Sequence, residues 1–230
     1  MSQPPYALVA LLPMKAHSER VKSKNFRLFA GKPLYRWILD TLLSLPEIDL
    51  VVMNTDARDL LRESGLESGG RILLRDRALA LCGDHVSMNL ILADDIAEVA
   101  ADTYLMTHTT NPLLRAATIR DALATFTRAR VDLRADSLFT VKKHLTRFYR
   151  ADGSSVNHNP KNLVRTQDLE PWFEENSNLY IFTTDSFAAT HARIGEKPLL
   201  LETSKIESCD IDDSEDWDIA ESIALRRTFL

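Results

Sequence analysis

The segment Tyr6-Ala-Leu-Val-Ala-Leu-Leu-Pro13 is a continuous apolar run that ends at a proline. A run without polar alternation predicts a strand that is buried on both faces, as in a parallel sheet covered by helices. A polar, basic loop follows at residues 14–32, and Pro33 then suits the first turn of a helix. This order of strand, loop and helix is typical of the first unit of an α/β domain.

Downstream, short apolar runs alternate with segments of helical spacing. The predicted strands are residues 50–53, 71–74, 103–106, 137–141 and 179–182, and the predicted helices are residues 56–65, 86–101, 116–129 and 213–227. The alternation predicts a three-layer, Rossmann-like α/β fold with a mostly parallel sheet. Residues 142–178 contain a cluster of turn-forming residues, namely Gly153, Ser154, Ser155, Asn157, Asn159 and Pro160. We therefore expect one domain (1–230) with an inserted arm at about 142–178.

The composition narrows the class of protein. The chain has 230 residues, 45% of them hydrophobic and 27% charged, and a formal net charge of −5, which argues against a nucleic-acid partner. Its two cysteines are far apart and favour reduced thiols over a disulfide. The sequence shows neither a signal peptide nor an apolar stretch long enough to span a membrane, so we expect a cytoplasmic protein.

The loop after the first strand concentrates positive charge in an acidic protein. Its cations are Lys15, Arg20, Lys22, Lys24 and Lys32. Ligands of open parallel sheets bind beyond the carboxyl ends of the strands, and a triphosphate needs cations to neutralise it. Charge alone leaves two interpretations open, a phosphate site and a solvated basic loop.

The loop resembles a signature of the acylneuraminate and KDO cytidylyltransferases. Their pattern, P-A-R-G-G-S-K-R-I-P-x-K-N, aligns without gaps with residues 13–25, and A-G-K-P aligns with residues 30–33. The resemblance implies that CTP is bound by Lys15, Ser18, Arg20, Lys24, Asn25 and Lys32, with Asn25 contacting part of the nucleoside. Lys15, Arg20 and Lys24 would also act in catalysis, by stabilising the pyrophosphate that leaves.

Several departures of this loop from the family pattern matter. Ala16 and His17 replace two glycines, Lys22 replaces a proline, and Lys15 replaces an arginine. Glycines let a backbone approach phosphates through unusual dihedral angles. We therefore expect the loop to hold its ligand more with side chains than with backbone amides.

A second site, which is acidic, is predicted at Cys209-Asp-Ile-Asp-Asp213. Asp210 and Asp212 lie at i and i+2 of an extended segment, so both carboxylates face one side. Such a pair suits Mg²⁺, with Mn²⁺ as an alternative, but Asp212 or Asp213 also suits a helix N-cap, and the pattern alone divides these interpretations evenly. The family shows D-I-D followed by acidic residues and an A-E pair. The resemblance therefore implies that Asp210 and Asp212 bind the metal, while Asp213 and Asp216 cap the last helix.

Three further stretches are similar to family motifs. Arg75 and the segment around Ser87 resemble R-P…L-A-x-D…S, which implies contacts with cytosine and ribose, although Ser87 also suits a helix cap. Met106-Thr-His-Thr-Thr-Asn-Pro-Leu113 resembles L-L-Q-P-T-S-P-L, which implies nucleotide or sugar contacts by His108, Thr110 and Asn111.

The arm carries the third stretch, which resembles R-x-Q-D-L-P and N-G-x-I-Y-I. The resemblance implies that the sugar is bound by Arg165, Gln167 and Asn176, with Arg165 pairing with a carboxylate. It also implies that the arm forms a homodimer contact.

These motifs together imply a reaction. CTP and an acidic 2-keto-3-deoxy sugar, such as sialic, legionaminic or pseudaminic acid, would give the CMP-sugar and pyrophosphate for cell-surface polysaccharide synthesis. The alternatives are a KDO-type cytidylyltransferase, a metal-dependent D-x-D glycosyltransferase and a non-catalytic nucleotide-sugar sensor. A glycosyltransferase leaves the basic first loop unexplained, since a diphosphosugar donor needs no pyrophosphate site there.

Overall fold

The apolar run at the start of the chain forms the central strand of the main sheet. The computed structural model describes residues 5–228, with the side chains of residues 5–226. In β1 (Tyr6–Leu11), Leu8 and Ala10 belong to one core cluster, and Val9 and Leu11 to another. This strand is therefore buried on both faces, as its sequence predicts. Of the predicted 1–230 domain, residues 1–4 and 229–230 lie outside the described residues.

The described chain contains nine strands and six α-helices. The strands are β1, β2 (Leu28–Phe29), β3 (Lys32–Pro33), β4 (Leu50–Thr55), β5 (Ile72–Asp76), β6 (Ala101–Thr107), β7 (Ser137–His144), β8 (Trp172–Thr183) and β9 (Pro198–Glu202). The helices are α1 (Leu34–Leu43), α2 (Arg58–Glu63), α3 (Met88–Glu98), α4 (Ala116–Val131), α5 (Thr184–Thr190) and α6 (Ser214–Thr228). No helix in this part of the chain is long and apolar enough to cross a membrane.

Seven strands form one sheet in the order β5-β4-β1-β6-β8-β7-β9. Only β8 is antiparallel to its neighbours in this sheet, and the other pairs are parallel. Helices α1, α2 and α4 pack on one face, and α3 and α5 pack on the other. The predicted three-layer α/β fold with a mostly parallel sheet is confirmed.

Helix α6 packs against the basic loop rather than against the sheet. Trp217, which is 1% exposed, contacts Phe29 edge-on with ring centroids 5.3 Å apart. The Glu221 carboxylate accepts the Ala30 amide at 2.7 Å and the Trp217 indole N–H at 3.1 Å. The helix therefore places the segment before it, which contains Asp210 and Asp212, beside the loop that follows β1.

The strands at residues 137–141 and 179–182 are longer than their apolar runs predict. Lys142 and His144 of β7 pair with Glu174 of β8, with nitrogen to oxygen distances of 3.4 and 2.5 Å, and Phe148 stacks on Trp172. These cross-strand contacts extend the ladder into the polar stretch that was predicted to be loop-rich. The segment between the strands, 145–171, contains a bridge at Tyr149 and a short 3₁₀ turn at Thr166–Asp168.

Candidate active site

A cleft of about 330 Å³ opens beyond the carboxyl ends of β1 and β6. Its lining residues are Pro13, Met14, Lys15, His17, Ser18, Glu19, Arg20, Lys24, Asn25, Asp84, Met88, His108, Thr109 and Thr110. The cleft therefore brings together seven predicted site residues from two separate motifs: Lys15, Ser18, Arg20, Lys24, Asn25, His108 and Thr110.

Three cations of the basic loop make defined contacts at this cleft. Lys15 pairs with Asp84 at 3.0 Å, and Arg20 pairs with Asp212 at 3.0 Å. Lys24 donates to the Ile211 carbonyl at 2.6 Å. Burial lowers the pKa of Lys24, while Asp210 and Asp212 act in the opposite direction. The loop thus converges on the D-I-D segment although the two lie far apart in sequence.

The other two cations of the loop lie outside the cleft lining. Lys32 pairs with Asp40 of α1 at 2.6 Å and lies 4.6 Å from the centre of the Trp37 ring. Lys22 is exposed. The positive charge at the cleft is therefore that of Lys15, Arg20 and Lys24, and Lys32 instead holds the loop against α1.

Asn25 fixes the shape of the loop. Its side-chain amide donates to the Lys15 carbonyl at 2.8 Å, and its carbonyl accepts the Thr109 hydroxyl at 2.6 Å. The residue is 7% exposed. The first bond joins the two ends of residues 15–25, and the second attaches them to the segment after β6, so Asn25 holds the loop in place at the cleft.

The two positions where glycines are replaced need no glycine in this chain. Neither Ala16 nor His17 has a positive φ, whereas Ser23, Ala30 and Gly31 do, at 53°, 44° and 93°. The Ala16 amide donates to the Asp56 carboxylate at 2.6 Å. Because a carboxylate already accepts that amide, the Ala16 N–H is not free to bind a phosphate, and the expectation that side chains hold the ligand stays a prediction.

The four aspartates at positions 210, 212, 213 and 216 fall into two groups with different roles. Asp213 accepts the amides of Glu215 and Asp216 at 2.9 and 3.0 Å, and Asp216 accepts the amides of Asp212 and Asp213 at 3.0 and 3.2 Å. Both residues cap the start of α6, which confirms their prediction. The carboxylates of Asp210 and Asp212 do not take part in this capping.

Asp210 carries a buried oxygen that suits a cation. Its Oδ1 has no hydrogen-bond partner within the described residues. Burial raises the pKa of Asp210, the Thr110 hydroxyl opposes the increase, and Asp212 adds to it. No three His, Cys, Asp or Glu side chains of residues 5–226 are grouped to hold a metal. Binding of Mg²⁺ by Asp210 and Asp212 therefore stays a prediction.

The end of β6 contributes His108, Thr110 and Asn111. The Thr110 carbonyl accepts the Ile211 amide at 2.9 Å and so connects β6 to the D-I-D segment. Asn111 is fully buried and lies behind the cleft rather than in its lining.

Burial lowers the pKa of the half-buried His108 to about 3, and the cations Arg193 and Lys24 contribute. His108 is thus a neutral hydrogen-bonding group at neutral pH.

This neutral imidazole predicts a pH dependence of stability. An unfolded chain protonates His108 below about pH 6.5, whereas the folded chain does so near 3, so acidification through this window favours unfolding. We expect His108→Gln to lose less stability than the wild type between pH 7.5 and 5, by at most about 1.4 kcal/mol per pH unit. Thermal unfolding across this range measures the difference, and identical pH profiles would contradict the assignment.

The structure brings neither Arg75 nor Ser87 into the cleft lining. Arg75 pairs with Asp94 at 3.0 Å and with Asp95, and its side chain is 16% exposed. Ser87 is exposed at the N-cap position of α3 and makes no side-chain capping bond. The predicted cytosine and ribose contacts of these two residues therefore remain untested predictions.

A neighbouring arginine that sequence reasoning missed supports the loop. Arg77 is 6% exposed and donates to the Met14 carbonyl at 3.2 Å and the Asn54 carbonyl at 2.8 Å. Its position in the sequence could have indicated this role, because it directly follows β5 and ligands of open sheets bind beyond the carboxyl ends of the strands.

The three later residues that were predicted to bind sugar, Arg165, Gln167 and Asn176, do not line the cleft. Arg165 lies on the arm, 72% exposed, and pairs with Asp168 at 2.7 Å. Gln167 is also exposed. Asn176 is 5% exposed, accepts the Thr140 hydroxyl at 2.8 Å and donates to Thr203 at 2.7 Å. Asn176 thus joins β8 to β7 and to the segment after β9.

A larger cavity of about 760 Å³ lies elsewhere, at the amino ends of β1 and β6 against α4. Leu123, Phe126 and Val131 are among its lining residues, and no predicted site residue is. The smaller cleft is the better candidate because its polar and charged groups converge.

Known proteins are similar to this chain over most of its length. A family model described as Cytidylyltransferase matches residues 9–208, most of the chain. The CMP-N,N'-diacetyllegionaminic acid synthase of Legionella pneumophila is 28% identical over 94% of this chain and 95% of its own length. The N-acylneuraminate cytidylyltransferases of Oncorhynchus mykiss and Streptococcus agalactiae serotype III are 28% and 22% identical over 95% and 91% of this chain. The chain spans 50% and 51% of the lengths of these two relatives.

Solved structures share the fold. CMP:2-keto-3-deoxy-manno-octonic acid synthetase complexed with CTP has a TM-score of 0.66 at 13% identity, over 96% of this chain and 99% of its own. The 4-diphosphocytidyl-2C-methyl-D-erythritol synthase of Anaerococcus prevotii has a TM-score of 0.68 at 12% identity, over 95% and 96%. At these identities the likeness shows the fold alone.

Proposed function

Because the chain belongs to the cytidylyltransferase family, we propose that it transfers CMP from CTP to an acidic 2-keto-3-deoxy sugar and releases pyrophosphate. The observation that carries this proposal is that Lys15, Arg20 and Lys24 line one cleft, while Arg20 and Lys24 also contact the segment of Asp210 and Asp212, which adjoins the cleft lining. A cation cluster beside a pair of carboxylates suits a triphosphate that loses pyrophosphate.

The sugar that we propose is a nonulosonic acid. The relative matched over nearly its whole length is a synthase for CMP-N,N'-diacetyllegionaminic acid, and two others are N-acylneuraminate cytidylyltransferases. KDO, the sugar of one structural neighbour, is the alternative acceptor. That neighbour is only 13% identical, so it supports the fold more than the choice of sugar.

Binding of CTP would exchange two ion pairs that the cleft contains. The pairs of Lys15 with Asp84 and of Arg20 with Asp212 are partly exposed, with side-chain exposures between 37% and 64%. Such pairs contribute about 0–1 kcal/mol each, so the phosphates would displace the carboxylates at little cost. The freed cations would then stabilise the charge that develops on pyrophosphate as the sugar hydroxyl attacks the α-phosphorus in line.

We propose Mg²⁺ as the cofactor, held by Asp210 and Asp212. When bound, the ion would neutralise phosphate charge and lower the barrier to displacement. Its presence would also release Arg20 from Asp212 toward the phosphates. Lys24 would stay between the phosphates and the two carboxylates, because its ammonium already donates to the Ile211 carbonyl.

Pyrophosphate release from CTP tests the function directly. The purified protein, CTP and Mg²⁺ are combined with a panel of legionaminic, sialic and pseudaminic acids and KDO. We expect release with at least one nonulosonic acid and formation of its CMP-sugar. Binding of CTP without release from any sugar would refute the transfer reaction and favour a non-catalytic sensor.

We propose that the arm joins two copies of the chain. Its segment and the adjoining strand expose apolar side chains, with Tyr149, Leu163 and Phe173 exposed by 55%, 63% and 46%. Exposed apolar side chains of this kind mark contact surfaces. Sedimentation should give a mass near twice that of the 26.0 kDa chain. Phe173→Glu should shift it toward the monomer, and a monomeric wild type would refute the dimer.

A further inference from the structure

The loop after α5 brings an arginine to the wall behind His108. The backbone amide of Arg193 donates to the Asn89 side chain at 3.3 Å, and its Nη2 donates to Glu175 at 3.2 Å. Its guanidinium lies 3.8 Å from the centre of the Tyr180 ring. The side chain is 19% exposed, so the arginine is held in place rather than solvated.

The positive charge of Arg193 acts on a residue that lines the cleft. Arg193 contributes, after burial, to the low pKa of His108, which lines the cleft. Met88, which precedes its partner Asn89, also lines the cleft. Arg193 itself does not line the cleft, but it contacts Asn89 and Met106, which lie next to Met88 and two positions before His108 along the chain, and both Met88 and His108 do line it.

The guanidinium retains donor capacity. Its Nη1 points to the Met106 sulfur at 3.8 Å, and a thioether is a weak acceptor that an anionic oxygen would readily replace. The stack on Tyr180 fixes the plane of the guanidinium. The Tyr180 hydroxyl in turn donates to Glu175, the same carboxylate that holds Nη2. Glu175 and Tyr180 thus orient a planar fork whose Nη1 faces only the weak sulfur acceptor of Met106.

The acidic sugar, which accepts CMP in the proposed reaction, needs a cation for its carboxylate near the α-phosphorus. In a 2-keto-3-deoxy acid, the carboxyl carbon is bonded to the carbon that bears the attacking hydroxyl. The carboxylate must therefore lie within a few ångströms of the α-phosphorus. Arg165, the arginine that the sequence assigns to this carboxylate, lies on the exposed arm and is already paired with Asp168.

We propose that Arg193 binds the carboxylate of the acidic sugar and that Glu175 and Tyr180 are positioning residues for its guanidinium. This assignment rests on the proposed function. It makes Arg193 a determinant of specificity for an acid over a neutral sugar, because planar arginine matches carboxylate geometry.

Steady-state pyrophosphate release tests the assignment with the sugar that the wild type uses. We expect Arg193→Ala to raise the KM for sugar by about 10- to 100-fold, the loss expected for a hydrogen bond to a charged group. The KM for CTP should stay within about twofold. Arg193→Lys, which keeps the charge but loses the fork, should give an intermediate increase. The sugar's methyl ester should inhibit the wild type and Arg193→Ala equally, because it lacks the carboxylate.

Arg27→Ala is the matched control, because Arg27 also lies over an aromatic ring, 4.4 Å from the centre of Trp217, but this ring belongs to α6 rather than to β8. It should leave both KM values unchanged. An unchanged sugar KM in both Arg193 variants, or a large increase in Arg165→Ala alone, would overturn the assignment. If Arg193→Ala fails to fold, as judged by CTP binding, Arg193→Lys decides. A wild type that turns over no sugar would instead refute the proposed function, and this assignment with it.

Discussion

Replacing Asp210 by alanine should lower kcat for pyrophosphate release by about 10³-fold or more. Removal of a single donor at a developing charge typically lowers kcat by about 10²–10³, and Asp210 is proposed to hold the cation that neutralises the phosphates. Its buried Oδ1, which lacks a hydrogen-bond partner within residues 5–226, is an oxygen that the fold leaves for a cation.

The same residue should carry a penalty in stability. Because burial raises the pKa of Asp210, the folded chain binds its proton more tightly than the unfolded chain. Stability therefore falls as pH rises through the window above the ordinary carboxyl pKa. At pH 7 without metal, Asp210→Asn should raise Tm, by about 2–4 °C for each kcal/mol relieved, while turnover is lost. The gain should vanish on acidification, since the wild-type carboxyl is then protonated.

Asp213→Ala is the matched control for both measurements. Asp213 belongs to the same acidic segment, but it caps α6. Its loss should lower stability by about 0.5–2 kcal/mol and leave kcat within a few-fold. Mn²⁺ binding measured by electron paramagnetic resonance gives a readout independent of turnover. Undiminished turnover or Mn²⁺ affinity in Asp210→Ala would remove Asp210 from the metal site.

The sequence predicted the fold well where burial decided it. A run such as residues 6–13 has no polar position to place on a surface, so it must be covered on both faces, which dictates helices on both sides of the sheet. The edge strand β9, in contrast, has half-buried and exposed positions in alternation and follows a polar segment. It pairs in parallel with β7, which is distant from it in sequence. Its own residues therefore give no local signal of a strand.

The site was predictable where a motif is contiguous and less so where contacts are long-range. Lys15, Arg20 and Lys24 share one loop, and their spacing alone placed them together. Asn176 matches a motif position, yet its neighbours Thr140 and Thr203 come from other strands and segments and occupy both ends of its amide. Arg193 belongs to no motif quoted for the family. Its position depends on the stack with Tyr180, which only the folded sheet provides.

Lys24→Met should lower kcat by about 10²-fold, whereas Lys22→Met should change it by less than about twofold. The two lysines lie two residues apart on one loop, so they contribute equally to its net charge. Lys24 alone is half-buried, lines the cleft and is anchored to the Ile211 carbonyl. Methionine keeps the apolar stem and removes the ammonium, so the change reports on the charge rather than on packing.

The comparison decides between the two interpretations that loop charge alone left open. If the loop acted only as a solvated basic surface, both variants would weaken CTP binding slightly and equally, and salt would abolish the difference from the wild type. A site built around Lys24 predicts a loss of kcat that persists at high salt, because charge in a partly buried position is screened less. Steady-state kinetics at two ionic strengths measure this. Equal, salt-sensitive effects of Lys22→Met and Lys24→Met would show that the number of charges, rather than their position, governs the loop, and Lys24 would then have no place in stabilising the leaving pyrophosphate.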